Sequence, residues 1–128
     1  MVVATDEAIR QQIKTAIGAH GMWKQRLSMA VDKGRSDIDA TTAERDDACD
    51  FGKWLRGVLP ALPAAQAQHG QAVRDLHARF HAQAATVVKL ATSGQGPAAR
   101  TSLQGPYADT SAALTKAMMD WQASLPGA

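Results

Sequence analysis

The sequence predicts an all-α protein, an antiparallel four-helix bundle, and three observations carry that prediction. The 128-residue chain is 45% hydrophobic yet only 5% aromatic, and it is rich in alanine, the strongest helix former. The β-branched and aromatic residues that favour strands are comparatively sparse. Apolar residues recur at steps of three and four along four long stretches separated by short glycine, proline or polar breaks, and long helices with short connections favour antiparallel neighbours. The length suits one domain over residues 1–128 with a core of its own.

The first stretch runs from about Thr5 to Val31. Thr5 or Asp6 can cap it, and Asp6 and Glu7 sit where the helix dipole favours acids. Ile9, Ile13, Ile17, His20, Leu27 and Val31 share a face, which puts His20 in the apolar stripe. Gly34 and Ser36 open a polar segment that ends near Thr41-Thr42. The second stretch runs from about Thr42 to Leu59, where Pro60 and Pro63 forbid a continuous helix.

The third stretch spans roughly Pro63 to Thr92. His77, His81, Ala84 and Val88 form one stripe, with Val73, Leu76, Phe80 and Val87 beside it. Residues 93–97, SGQGP, break the chain, and a short extra helix is expected near residues 97–103. In the last stretch Tyr107, Ser111, Leu114, Met118, Trp121 and Leu125 recur at four, three, four, three and four. This heptad-like seam suits packing along another helix, either inside the bundle or against a second copy.

Composition excludes several function classes. Net charge is +2 with both signs interspersed, which argues against nucleic acid as the partner. No apolar run approaches the ~20 residues of a membrane span, so none is expected. MVVATDEAIRQQ lacks a basic segment followed by an apolar one, so no signal peptide is read there. A single cysteine supports no intrachain disulfide framework, and together these features lead us to expect a cytoplasmic protein.

The chemistry-bearing residues lie on faces that point inward. Burying an unpaired imidazole is unfavourable unless its nitrogens find partners. Taken singly, each of His20, His77 and His81 reads as a core histidine bonded to a carbonyl or carboxylate. Cys49 alone reads as a small buried hydrophobe. Taken together they offer another reading. Residues four apart on a helix have Cβ atoms ~5–6 Å apart, so His77 and His81 can face one ion. Zinc accepts four ligands from histidine nitrogen and cysteine sulfur, and the four residues would supply them from three helices. Gly52, read as lying in mid-helix where glycine costs ~1 kcal/mol against alanine, suggests close approach of another helix. His69 reads as solvated surface. Asp50 and Asp75 are candidate carboxylates for orienting the imidazoles, beside Glu44, Asp46 and Asp47.

Three short motifs give these residues a context. His20-Gly21-Met22-Trp23, then Cys49-Asp50-Phe51-Gly52-Lys53-Trp54, then His77-Ala78-Arg79-Phe80-His81 resemble the chemoreceptor zinc-binding (CZB) domain. That family shows H-x-x-aromatic, C-x-apolar-G-x-aromatic and H-x-x-x-H in this order, separated by gaps of the size found here. Trp23, Phe51, Gly52 and Trp54 fill the supporting positions, and the motif region is 20–81. The resemblance implies a helical bundle binding one Zn2+ through His20, Cys49, His77 and His81. It also implies a bacterial cytoplasmic sensor module that often forms a homodimer. Such modules are attached to chemoreceptors or diguanylate cyclases and serve chemotaxis or cyclic-di-GMP signalling. Cys49 would be a redox switch for oxidants such as hypochlorous acid. No signalling or cyclase segment is seen in this sequence, so a chemoreceptor or cyclase is expected as a partner or a parent chain.

Other function classes fit less well. A sensor of zinc concentration and an interaction module with a purely structural zinc use the same four ligands. An enzyme is not expected. Catalytic zinc keeps an open position for water, which four protein ligands would close. HARFH lacks the glutamate of H-E-x-x-H, and neither Glu-x-x-His nor C-x-x-C-H spacing occurs.

Overall fold

A computed structural model of the protein describes residues 5–126, and these fold into helices joined by short turns. The helices are α1 (Asp6–Gly21), α2 (Trp23–Lys33), α3 (Ala40–Glu44), α4 (Asp50–Val58), α5 (Ala64–Thr92), α6 (Gly96–Ser102) and α7 (Ala108–Ser124). They form four rods, as expected, but three of the rods are interrupted.

The first rod bends rather than running straight. Thr5 Oγ1 caps α1 by accepting from the Ala8 N–H at 3.1 Å. At Met22 the backbone stays right-handed (φ −77°, ψ −16°), and its N–H reaches back to the Ala19 carbonyl at 3.3 Å. The local tightening bends the helix without ending it. α2 then stops at Gly34, whose φ of +70° suits a residue without Cβ.

The second rod, expected as one helix over 42–59, is broken. Asp39 Oδ1 caps α3 by accepting from the Thr42 N–H at 2.7 Å. α3 ends because Arg45 is extended, and a 3-10 turn follows at Asp46–Ala48. Cys49 is also extended (φ −85°, ψ 140°) and is the residue from which α4 starts. Phe51, Leu55 and Val58 then bury one face of α4, and a second 3-10 turn containing Pro60 closes the rod.

The third rod is α5, 29 residues long, about 44 Å at 1.5 Å per residue. It buries the histidine-bearing stripe and the one beside it apart from Leu76, which is half-buried. In the fourth rod α6 and α7 are continuous through a π-helical segment at Leu103–Tyr107, where two separate helices were expected. Pro106 lies in that segment. Proline lacks an N–H and its ring clashes with the carbonyl four residues back, and the wider π turn accommodates both.

Adjacent rods run in opposite directions. Arg10 Nη2 donates to the Pro126 carbonyl at 2.9 Å and Arg100 Nη2 to Asp32 at 2.8 Å, so the first and last rods are antiparallel. Trp121 Nε1 donates to Gln66 at 2.8 Å, joining the end of α7 to the start of α5. The exposed Arg100–Asp32 pair is worth at most about 1 kcal/mol, and the bundle is held by its core. Tyr107, Leu114, Met118, Trp121 and Leu125 are all buried in that core, so the heptad-like seam packs inside one chain. No helix among the described residues is long and apolar enough to cross a membrane.

Candidate metal centre

The bend in the first rod and the break in the second are where the polar residues converge on α5. His20 lies in the last turn of α1, Cys49 at the start of α4, and His77 and His81 one turn apart on α5. His77 Nε2 is 3.1 Å from His20 Nε2 and 3.2 Å from His81 Nε2. Cys49 Sγ is 3.7 Å from His20 Nε2 and 3.6 Å from His77 Nε2. All four atoms lie within 4.8 Å of one another.

These separations test the fit of a metal directly. Zinc bonds of about 2.0–2.1 Å to nitrogen and 2.3 Å to sulfur give tetrahedral edges of about 3.3 Å and 3.6 Å. The nitrogen pairs at 3.1–3.2 Å and the sulfur pairs at 3.6–3.7 Å are close to those edges. The hydrogen bonds behind the rings agree. His20 Nδ1 donates to the Ala16 carbonyl at 2.8 Å, and His81 Nδ1 donates to the Ala43 carbonyl at 2.9 Å. Each bond places the ring proton on Nδ1 and leaves the Nε2 lone pair facing the cluster. Converging lone pairs repel unless a cation lies between them.

The break in the second rod now has a reason. Ala43 lies in the last turn of α3, where carbonyls lack helical partners, and its oxygen is therefore free for His81. The 3-10 turn then re-aims the chain so that Cys49 faces the histidines. Gly52 completes the arrangement. A Cβ there would collide with the Asp46 carbonyl oxygen, and it would lie 3.1 Å from His77 Cε1. The close approach expected of this glycine is present. It sits in the first turn of α4, however, and its neighbours are its own preceding turn and an imidazole.

Aromatic residues wall the cluster with edge-to-face contacts. Phe80 meets His20 at 5.1 Å and His81 at 5.5 Å, Phe51 meets His77 at 5.3 Å, and Trp23 meets His81 at 5.8 Å. Trp54 stands one layer out, between Phe51 and Trp121. Phe80 was read as ordinary core, although its place inside H-x-x-x-H was the available signal. The expected carboxylates do not orient the rings. Asp50 and Asp75 are exposed, and backbone carbonyls take their place. His69 is half-buried and lies outside the cluster.

Burial pushes all three imidazoles below their ordinary range. For His77, burial and then the neighbouring His81 and His20 lower it to about 3. Burial lowers His20, partly offset by its bond to Ala16, with His81 adding a smaller downward push. Burial also lowers His81, partly offset by its bond to Ala43 and by Asp46. These histidines stay neutral when folded but gain protons when unfolded below pH ~6.5. The unfolded state then binds more protons, so stability falls as pH drops from about 6.5 towards about 3. The slope is at most about 1.4 kcal/mol per pH unit for each histidine. Metal-free protein should therefore have a lower urea midpoint at pH 5.5 than at pH 7.5. Equal midpoints would contradict the neutral, buried cluster.

A family model described as the chemoreceptor zinc-binding domain matches residues 20–88, more than half of the chain, and includes all four converging residues. The chain belongs to the chemoreceptor zinc-binding domain family. No curated protein and no solved structure gives a match. Zinc as the metal of this CZB domain is inferred from the family, and the donor set and spacing fit it.

Proposed function

We propose that this CZB domain is a zinc-binding sensory module in which His20, Cys49, His77 and His81 hold one zinc and Cys49 is an oxidant-sensitive switch. The convergence of three Nε2 atoms and one sulfur within 4.8 Å of one another, with His77 and Cys49 at near-tetrahedral separations from their neighbours, carries the reading. Four protein donors leave no open position for water or substrate, so we propose a sensor rather than an enzyme.

Zinc would hold the Cys49 sulfur as a thiolate, the form that oxidants attack. Cys49 is only half-buried, so a small oxidant can reach it. Thiolate and hypochlorous acid give sulfenic acid and chloride, a two-electron oxidation of sulfur. The sulfenic sulfur is a weaker ligand. Its release frees the start of α4 and the 3-10 turn before it, a segment already divided at Arg45 and Cys49. We expect one equivalent of hypochlorous acid to speed amide hydrogen exchange over residues 44–59 while α5 and α7 stay protected. Unchanged exchange over 44–59 would sink the switch.

The signal would pass in the cytoplasm to a chemoreceptor or a diguanylate cyclase, as partner or parent chain, for chemotaxis or cyclic-di-GMP control. Zinc concentration is the second reading, because the ligands come from three rods and occupancy would tie those rods together. A purely structural interaction module loses its main support, since the seam on α7 is buried within one chain. We propose a homodimer through another face. Sedimentation of the zinc-loaded protein should give a dimer mass, and a monomer mass at tens of micromolar would refute it.

A further inference from the structure

Of the three histidines, His77 is held differently. Its side chain is buried, with 1% exposure, yet its polar contacts all use Nε2. No described residue accepts from Nδ1, whereas the equivalent nitrogens of His20 and His81 both have carbonyl partners. The Cε1 edge of the ring, next to Nδ1, faces Gly52, and both residues line a groove of about 570 Å³. A side chain at Gly52 would crowd that edge.

A metal-bound histidine almost always donates its second N–H to a carboxylate, a carbonyl or water. The groove supplies what would hold such an acceptor. Arg74 lies three residues before His77, hence on the same side of α5, and its guanidinium makes only a 3.4 Å bond to Gln71. Arg56 stands in the groove wall from α4 and reaches Asp47 only at 3.7 Å. A guanidinium matches a carboxylate or phosphate group with two parallel hydrogen bonds. Asp46 and Asp75 also line the groove and offset the two arginines, which disfavours a polyanion.

We propose that this groove binds a small oxyanion, a carboxylate or a phosphate group, which accepts from His77 Nδ1 and pairs with Arg74, and that its binding tightens zinc binding at the cluster. The proposal rests on the zinc reading above. An acceptor on Nδ1 raises the basicity of Nε2, and by linkage the metal strengthens anion binding by the same factor.

Acetate and inorganic phosphate are the probes, added separately to zinc-loaded, 15N-labelled protein in a Tris chloride buffer that contains no oxyanion. One readout is the His77 Nδ1 resonance. The other is zinc affinity against a competing chelator, in wild type and in Arg74→Gln, whose side chain hydrogen-bonds Gln71 and not a ligand residue. Without anion the two proteins should bind zinc equally. An effective anion should shift the His77 Nδ1 signal, leave those of His20 and His81 in place, and raise zinc affinity about 5–10-fold in wild type alone. A response to acetate only assigns a carboxylate, and a response to phosphate only assigns a phosphate group. No response to either, or an equal response in Arg74→Gln, overturns the proposal. Failure to bind zinc in anion-free buffer would overturn the zinc reading and this proposal with it.

Discussion

Cys49→Ala and His81→Ala should each weaken zinc binding about 10²-fold. Structural zinc sites are worth about 10–16 kcal/mol, so one of four ligands carries about 3 kcal/mol, and each 1.4 kcal/mol is tenfold. The two variants should differ in the metal-free state. Cys49 starts α4 without making a capping hydrogen bond, and its half-buried sulfur gives up only the long contacts to His20 and His77, so its removal costs the metal-free bundle little. His81→Ala opens a cavity and strands the Ala43 carbonyl, a loss of about 2–4 kcal/mol. Competition with a chromophoric chelator reads the affinities, and urea unfolding reads the stabilities. Wild-type affinity in either variant would remove that residue from the site.

Gly52→Ala should be the most damaging single-methyl change in the molecule, at about 3 kcal/mol, or roughly 10 °C in Tm. The added carbon meets the Asp46 backbone, with its carbonyl carbon 2.8 Å away, and a backbone group cannot rotate aside as a side-chain tip can. The 3-10 turn must shift, carrying Cys49 with it, so zinc affinity should fall as well. Gly18→Ala is the matched control. Its Cβ would meet nothing within 4 Å inside α1, so it should stabilise the protein by about 0.5–1 kcal/mol through helix propensity. Thermal unfolding of the pair checks both. A Gly52→Ala protein as stable as wild type would contradict the packing around His77.

The ligands were legible because histidine at positions 20, 77 and 81 falls in apolar stripes where a charged or polar side chain needs a partner. The spacing of His77 and His81 and the order of the three motifs then narrowed the partner to a metal. Gly52 was legible as a point of close approach because glycine is otherwise unfavourable in a helix. The break between Arg45 and Cys49 was not legible. Residues 43–50, AERDDACD, contain neither proline nor glycine and read as helix, and tertiary demands override that local preference. There the chain gives up helical hydrogen bonds so that the Ala43 carbonyl can hold His81 and Cys49 can turn inward. The carbonyls of Ala16 and Ala43 were beyond sequence reading for a simpler reason: any residue carries a carbonyl, so nothing in the side chains marks it as a ligand's support. The bend at Met22 has no strong sequence signal either, and Pro106 by itself does not distinguish a chain break from a π turn within one rod.

The central claim is that His20, Cys49, His77 and His81 share one zinc ion. Metal content by mass spectrometry on purified, fully reduced wild-type protein tests it most directly. The account predicts about one zinc per chain, retained through dialysis at pH 7.5 and released on acidification. Protein that is folded and reduced but holds no zinc, even after incubation with it, would contradict the account and return the three histidines to the role of hydrogen-bonded core residues.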